Sequence, residues 1–201
     1  MQFIETEEDL AALYGTPGEA ATAKVARRLT PLYRAWIARS RFCILSTVGP
    51  EGTDASPRGD DGPVVTVLDP GTLALPDWRG NDRIDSLRNI VRDPRVSLMF
   101  FVPGSNNVVR VNGRGGVTAD AGLRARFERS GKLPRTVLLI EITEVYSQCA
   151  RAILRSGLWT RGDDSEGLPS FGDILREMTE GAIDGAAYDA EWPDRAAKTM
   201  W

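Results

Sequence analysis

The chain has 201 residues, 42% of them hydrophobic, and its 25 basic and 28 acidic side chains give a formal net charge of −3. This length supports one well-buried core, and the weakly negative charge argues against nucleic-acid binding driven by overall basicity. The sequence contains no histidine, which excludes Ser-His and Cys-His nucleophile pairs and histidine general bases.

The sequence shows no targeting signal and no functional spacing of its cysteines. No basic-apolar-small pattern of a signal peptide occurs near the N-terminus, and no apolar run approaches the roughly 20 residues needed to span a bilayer. We therefore expect a cytoplasmic protein without membrane contact. Cys43 and Cys149 lack metal or redox spacing, so we predict two buried free thiols and no metal site.

The N-terminal part of the chain is predicted to be helical. The run Thr6-Glu7-Glu8-Asp9 is typical of a helix start. Thr30 followed by Pro31 combines an N-cap residue with proline at the first helical position, which predicts a second helix through Arg39.

Two consecutive hairpins follow. Each consists of two short runs of β-favourable residues around a Gly/Pro/Asp turn: Phe42 to Val48 with Thr53 to Ser56, and Val64 to Leu68 with Leu73 to Leu75. Consecutive hairpins predict an antiparallel sheet.

A helix is predicted after the second hairpin. Asn81 or Asp82 is expected to cap it, with Ile84, Leu87, Ile90 and Val91 on its inner face and Asp93-Pro94 at its end. Arg83 and Ser86 would then lie in its first turn, near Arg58 after the earlier strand. An arginine and open helix amides predict a phosphate cradle between strands.

The remaining strands complete a barrel. They are predicted at Val96 to Val102, at Val108 to Asn112, from after Gly113 to Thr118, and at Thr136 to Tyr146. Six or seven short antiparallel strands favour a closed or nearly closed barrel over a βαβ sheet.

Helical patterns return after Tyr146, and Ser170 is expected to cap a helix. The last segment exposes the aromatic residues Tyr188, Trp192 and Trp201. Docking on a partner subunit or a frayed tail would explain them equally well.

A set of motifs, in this order and spacing, resembles the pyridoxamine 5′-phosphate oxidase-like flavoproteins with the FMN-binding split barrel. The motifs are FCILSTVGPEG, SPRGD, LALPDWRGNDRIDSLRNI, DPRVSLMFFVPG, VVRVNGRG and CARAILRSGLW, and the resemblance covers roughly residues 25 to 160. It implies a mainly β fold, a six-stranded antiparallel split β-barrel with N- and C-terminal helices. One domain would span 1–201, with a helical extension at 1–40, the barrel at 41–146 and a helical segment at 147–201.

The resemblance also implies a homodimer with FMN at the subunit interface and site residues at matching positions. Flavin ring and ribityl contacts fall on Ser56, Pro57, Arg58 and Gly59, and phosphate contacts on Asn81, Arg83 and Ser86. The second group departs from the oxidase, which has a Ser-Arg-Lys cluster where this chain reads Asn-Asp-Arg-Ile-Asp-Ser. Asp82 and Asp85 are expected to point away or to pair with arginines.

Four later residues are further candidates for the cofactor site. Arg110 lies inside a strand and would either pair with a buried acid or contact the flavin, because a charge there requires a partner. Arg155 and Ser156 would reach polar parts of the flavin, and Trp159 would either stack near it or belong to the core or the interface.

The resemblance supports several functional hypotheses. The first is an FMN-dependent oxidoreductase acting on an unassigned small molecule, with the chemistry supplied by the cofactor and no catalytic residue assigned. Pyridoxamine phosphate oxidation itself is not carried over, because the oxidase's late Arg-x-His pattern is missing. The alternatives are a non-catalytic FMN-binding or storage protein, or a barrel that binds a deazaflavin or haem. A deazaflavin would require a longer basic groove, and haem normally requires an axial histidine.

Overall fold

Seven antiparallel strands form a single sheet with helices before, between and after them, in a computed structural model that describes residues 1–201. The strands are β1 (Phe42–Gly49), β2 (Gly52–Gly59), β3 (Thr66–Asp69), β4 (Thr72–Asp77), β5 (Arg95–Phe101), β6 (Val108–Thr118) and β7 (Thr136–Gln148). The helices are α1 (Glu7–Ala11), α2 (Glu19–Ala23), α3 (Pro31–Ile37), α4 (Asp85–Arg92), α5 (Ala121–Ala125), α6 (Arg151–Ser156), α7 (Phe171–Met178) and α8 (Gly185–Thr199).

The sheet has the order β2-β1-β5-β6-β7-β4-β3, and it is not closed. This confirms the predicted mainly β split-barrel fold, with seven strands instead of six because the four-residue β3 pairs with β4. β2 is an edge strand and contains Pro57. Proline lacks the amide hydrogen that a central strand needs, so the composition of β2 fits an open edge.

β6 is one continuous strand, whereas the sequence predicted two strands that meet at Gly113. Its pairing with β7 shifts register between Asn112 and Gly113, which marks a β-bulge. A Cβ atom at Gly113 would overlap the carbonyl oxygen of Glu141. The glycine therefore permits close approach of β6 and β7 instead of ending a strand.

The core lies on the inner face of the sheet and is covered by two helices. Alternate residues of the strands point inward, among them Leu45, Leu98 and Val111, all fully buried. Ile37 from α3 and Ile90 from α4 pack against them. This alternation is the period-2 pattern of a half-buried strand.

The two cysteines differ in their environments. Cys43 lies in the core, where burial raises the pKa of its thiol to about 12 despite the opposing effect of the Arg58 charge. Cys149 is exposed between β7 and α6. The prediction of two buried thiols is therefore correct for Cys43 and wrong for Cys149, which lies beyond the end of the last strand.

The start of α4 differs from the prediction. The helix begins at Asp85, and Ile84 precedes it with φ of 52° and no side-chain cap. The Asn81 side chain instead accepts a hydrogen bond from the Arg83 amide at 3.1 Å, in a local turn. Asparagine side chains compete with helices in this way, so neither Asn81 nor Asp82 caps the helix.

The inner face of α4 is correspondingly narrower than predicted. Ser86 and Ile90 are buried and Leu87 packs against the core. Ile84 and Val91 are exposed, at 45% and 76%. Ile84 lies in the turn before the helix, and Val91 lies outside the buried stripe formed by Ser86 and Ile90. None of the helices combines the length and apolarity needed to cross a membrane.

Gly113→Ala should lower the free energy of unfolding by about 1–3 kcal/mol, because the added methyl group forces β6 away from β7. The matched control is Gly116→Ala on the same strand, where a Cβ meets nothing within 4 Å. Urea denaturation of both variants measures the difference. Equal stability of the two would contradict the close approach described for Gly113.

Candidate functional site

A cavity of about 840 Å³ lies in the split of the barrel, along β2. Its walls are Asp54 to Gly59 of β2, the end of β4, the segment that links β4 to α4, and the start of α4. β2 and β4 are not hydrogen-bonded neighbours in the sheet. The cavity therefore lies between β2 and the end of β4, where no ladder of backbone hydrogen bonds joins the two strands.

The cavity is elongated, and different elements build its two ends. At one end, Ser86 of α4 donates a 2.6 Å hydrogen bond to Asp54. At the other end, the Trp78 indole donates a 3.2 Å hydrogen bond to Asp60. Asp60 is six positions after Asp54 along extended chain, which corresponds to about 20 Å at roughly 3.3 Å per residue.

Arg58 connects the two sides of the split. Its Nη1 lies 2.6 Å from Oδ1 of Asp77 on β4, and the two side chains are only 20% and 14% exposed. The Nε atom of Arg58 is buried without a hydrogen-bond partner, and so is Oγ1 of Thr136 at the start of β7. Both residues line the cavity. Buried polar atoms in proteins are normally hydrogen-bonded, so the residues that line this cavity include two donor groups without a partner.

The α4 end of the cavity offers backbone donors. No side chain caps the first turn of α4, which leaves amide groups and the positive end of the helix dipole open. Arg83 is 75% exposed and bonds Asp85 at 2.9 Å, and Arg79 lines the cavity without an acidic partner. Together these groups can bind an anion.

The acidic residues of this end are mostly engaged. Asp82 pairs with Arg135 at 2.7 Å, and Asp85 pairs with Arg83, which confirms the expectation that they pair with arginines. Four arginines and five aspartates line the cavity. Preference for an anion must therefore come from the placement of donors and not from a general positive field.

Seven of the residues predicted for the site line this one cavity: Ser56, Pro57, Arg58, Gly59, Asn81, Arg83 and Ser86. The structure brings them together from β2, from the β4–α4 link and from α4. Four have internal partners already. Ser86 bonds Asp54 and Asn81 bonds the Arg83 amide, while the Arg58 and Arg83 side chains pair with aspartates.

The other four predicted residues lie outside the cavity. Arg110 has no acidic partner, and its guanidinium lies 5.4 Å from the centre of the Tyr146 ring. Of the two alternatives for Arg110, pairing with a buried acid is therefore wrong within this chain, because β7 presents Tyr146 opposite it. Contact with a flavin stays a prediction. Trp159 donates a 2.8 Å hydrogen bond to the Ser105 carbonyl, and Arg155 and Ser156 are exposed.

Several cavity residues were not predicted. Three of them, Asp77, Trp78 and Arg79, belong to the PDWRG motif. The position of this motif between a predicted strand and a predicted helix was the signal that could have identified them as cavity residues. Thr136 reaches the cavity only because it pairs with Asp77 across β7 and β4, and no local pattern marks it.

Trp201 also lines the cavity, at the Asp60 end. Its ring lies 5.4 Å from that of Trp78 at an interplanar angle of 80°, and the Arg129 guanidinium lies 4.5 Å from its centre. Edge-to-face and cation–π contacts each contribute on the order of 1 kcal/mol. Of the two alternatives for the last segment, a frayed tail is therefore wrong for Trp201, which packs within its own chain. Docking of the last segment on a partner subunit stays a prediction.

The sequence from residue 29 to 149 matches the family model described as pyridoxamine 5′-phosphate oxidase. The match covers more than half of the chain and includes all seven strands. The chain therefore belongs to the pyridoxamine 5′-phosphate oxidase family, as the resemblance of its motifs indicated. None of the curated proteins matches its sequence.

Solved structures resemble this chain at low sequence identity. A variant of HupZ from Group A Streptococcus is 13% identical, with 59% of this chain and 98% of that chain covered and a TM-score of 0.50. An FMN-binding protein from Syntrophomonas wolfei is 15% identical, with 58% and 83% covered and a TM-score of 0.46. An FAD-binding protein from Mycobacterium smegmatis is 12% identical, with 61% and 97% covered and a TM-score of 0.42. Sequence identities this low support a shared fold and give no information about the ligand.

Asp77→Asn should lower the free energy of unfolding by about 1–3 kcal/mol, because it leaves the mostly buried Arg58 guanidinium without its counter-charge. Asp82→Asn is the matched control, since its pair with Arg135 is exposed, at 62% and 64%, and should cost about 0.5 kcal/mol or less. Chemical denaturation at low and high salt compares them. If Asp77→Asn lowers the free energy of unfolding no more than Asp82→Asn does, the Arg58–Asp77 ion pair does not hold the two walls of the cavity together.

Proposed function

We propose that the cavity along β2 binds FMN and that the protein is an FMN-dependent oxidoreductase acting on a small molecule. The observation that carries this proposal is the pair of buried, unpartnered polar atoms, Arg58 Nε and Thr136 Oγ1, in a cavity whose far end has open helix amides. Membership of the pyridoxamine 5′-phosphate oxidase family supports a flavin as the ligand.

The residues present fit a mononucleotide that has a phosphate at one end and a ring at the other. Open amides of α4, with Arg83 and Arg79, would bind the phosphate. Asn81 and Ser86 would hold this end in shape through their bonds to the Arg83 amide and to Asp54.

The middle of the cavity suits the remainder of the cofactor. Arg58 and Thr136 would donate hydrogen bonds to polar atoms of the flavin, and their burial strengthens such bonds because little water competes. Ser56, Pro57 and Gly59 would line its length, with Gly59 allowing close approach of the backbone.

The candidates outside the cavity fit a homodimer, which we propose as the functional state. Strand register places Pro57, Ile44, Met99, Arg110 and Tyr146 in one row across the outer face of the sheet. The neighbouring Phe42 and Phe101 rings lie 6.0 Å apart on the same face. A second copy would cover this apolar face, and the row begins at Pro57 in the cavity wall. Arg110, Arg155, Ser156 and Trp159 would then complete the partner's site.

We also propose that residues 1–201 form one domain. The N-terminal extension bonds to the barrel, since the Ala26 amide donates to the Val145 carbonyl at 2.9 Å. Trp201 attaches the C-terminal helices to the cavity wall. A cytoplasmic location stays a prediction from the sequence.

The bound cofactor would supply the electron or hydride transfer. The chain's own residues would orient the flavin, limit water around it and leave room for a substrate. The absence of histidine from the sequence is no obstacle to such chemistry, but it leaves haem without its usual axial ligand. A deazaflavin would need a long basic groove, and the five aspartates in the cavity wall argue against one.

The proposed cofactor can be tested by titrating the purified protein with FMN and following the visible spectrum and flavin fluorescence. Arg83→Ala should weaken binding about tenfold or more, because a charge-assisted bond to phosphate is lost, and adding Arg58→Ala should weaken it further. Arg88→Ala, an exposed change on α4 outside the cavity, should bind like the native protein. A protein that takes up no FMN would overturn the proposal.

Oxidoreductase activity is tested separately from binding. The flavin-loaded protein should be reduced by NADH or NADPH and reoxidised by an artificial acceptor, with turnover followed by absorbance. Tight FMN binding without any reduction would favour the non-catalytic storage role.

A further inference from the structure

The C-terminal helices lie beyond the segment that matches the family model, which ends at residue 149. α7 and α8 form a hairpin built on close backbone contact between Gly172 and Gly185. The Gly172 amide donates a 2.9 Å hydrogen bond to Asp189 of α8, and the Phe171 and Tyr188 rings lie 5.8 Å apart. A capping box at Ser170 begins α7. The hairpin is therefore a defined unit of this chain.

Trp201, two residues beyond the end of α8, packs against Trp78 and Arg129. These two side chains and Asp60, which bonds both of them, form the socket of Trp201. The side chain of Asp60 is only 5% exposed and lies 2.5 Å from Arg129 Nη2, while its other oxygen accepts the Trp78 indole hydrogen bond. One buried carboxylate thus fixes the two side chains that contact the Trp201 ring. The three socket residues come from the end of β2, the β4–α4 link and the segment after α5.

Trp201 acts as a wall of the cavity and does not fill it. With Trp201 in place the cavity still measures about 840 Å³, within the range of roughly 300–1,000 Å³ that holds ligands of drug size. A ligand can therefore bind without displacing the indole.

The orientation of a bound mononucleotide follows from the two ends of the cavity. With its phosphate on the α4 amides, its ring would extend along β2 toward Asp60, where Trp78 and Trp201 present two indole rings. Planar heteroaromatic rings pack favourably on such surfaces.

We propose that Trp201 contacts the ring of the bound flavin, so that the C-terminal hairpin determines how tightly the ring end of the ligand is held and how far solvent reaches it. This rests on the proposed function, since it assumes that a flavin occupies the cavity. It assigns a ligand contact to a segment outside the matched family region.

The test compares FMN with riboflavin, which has the same ring and lacks the phosphate. Trp201→Ala should weaken the binding of both ligands by the same factor, about tenfold. Arg83→Ala should weaken FMN only. Trp192→Ala is the control, because that residue is 53% exposed on α8 and does not line the cavity; both affinities should stay unchanged. Iodide should quench bound flavin more in Trp201→Ala than in the native protein.

Trp201→Leu provides a second variant that keeps apolar packing and folding while it removes the aromatic ring, and it should show the same equal losses. Native affinity in the Trp201 variants, or a loss confined to FMN, would overturn the assignment while leaving FMN binding itself intact. Failure of the native protein to bind either flavin would instead overturn the proposed function.

Discussion

The ion pair between Arg58 and Asp77 is the contact on which the organisation of the cavity depends. β2 pairs only with β1, and β4 pairs with β7 and β3, so no backbone hydrogen bond crosses between β2 and β4. The 2.6 Å ion pair, with the Trp78–Asp60 hydrogen bond nearby, joins the two sides in place of a strand ladder. Side chains reach farther than paired backbones, whose strands lie about 4.8 Å apart, and the split can therefore be wide enough for a ligand while its two walls stay fixed.

This arrangement also sets the electrostatics of the cavity. Asp77 neutralises the charge of Arg58 but occupies only part of its guanidinium, and Nε remains buried and unpartnered. An isolated buried charge would be costly, whereas a paired arginine with one free N–H can bind a neutral polar atom at little cost. Asp82 and Asp85 likewise balance Arg135 and Arg83. Arg79 and the α4 amides are left as the donors least committed to the protein itself.

The sequence predicted the barrel well and the cavity only in part, for physical reasons. Strand alternation and turn residues are local signals, and they located every strand of the sheet. Gly113 was misinterpreted as a break because a glycine that permits close approach of two strands has the same local signature as one in a turn. The capping assignment to Asn81 or Asp82 failed because the same side chain can close a turn or cap a helix. Thr136 and Trp201 reach the cavity through strand register and tertiary packing, which no local pattern encodes.

The two ends of the cavity therefore depend on the sequence in different ways. The α4 end uses backbone amides and residues close together in the chain, from Arg79 to Ser86. The Asp60 end needs three separate elements and the C-terminal hairpin to meet around one buried carboxylate. A change of side chain at the α4 end leaves most of the backbone donors in place. At the Asp60 end, loss of the carboxylate would release Trp78 and Arg129 together and with them the contacts of Trp201, so this end responds as a unit.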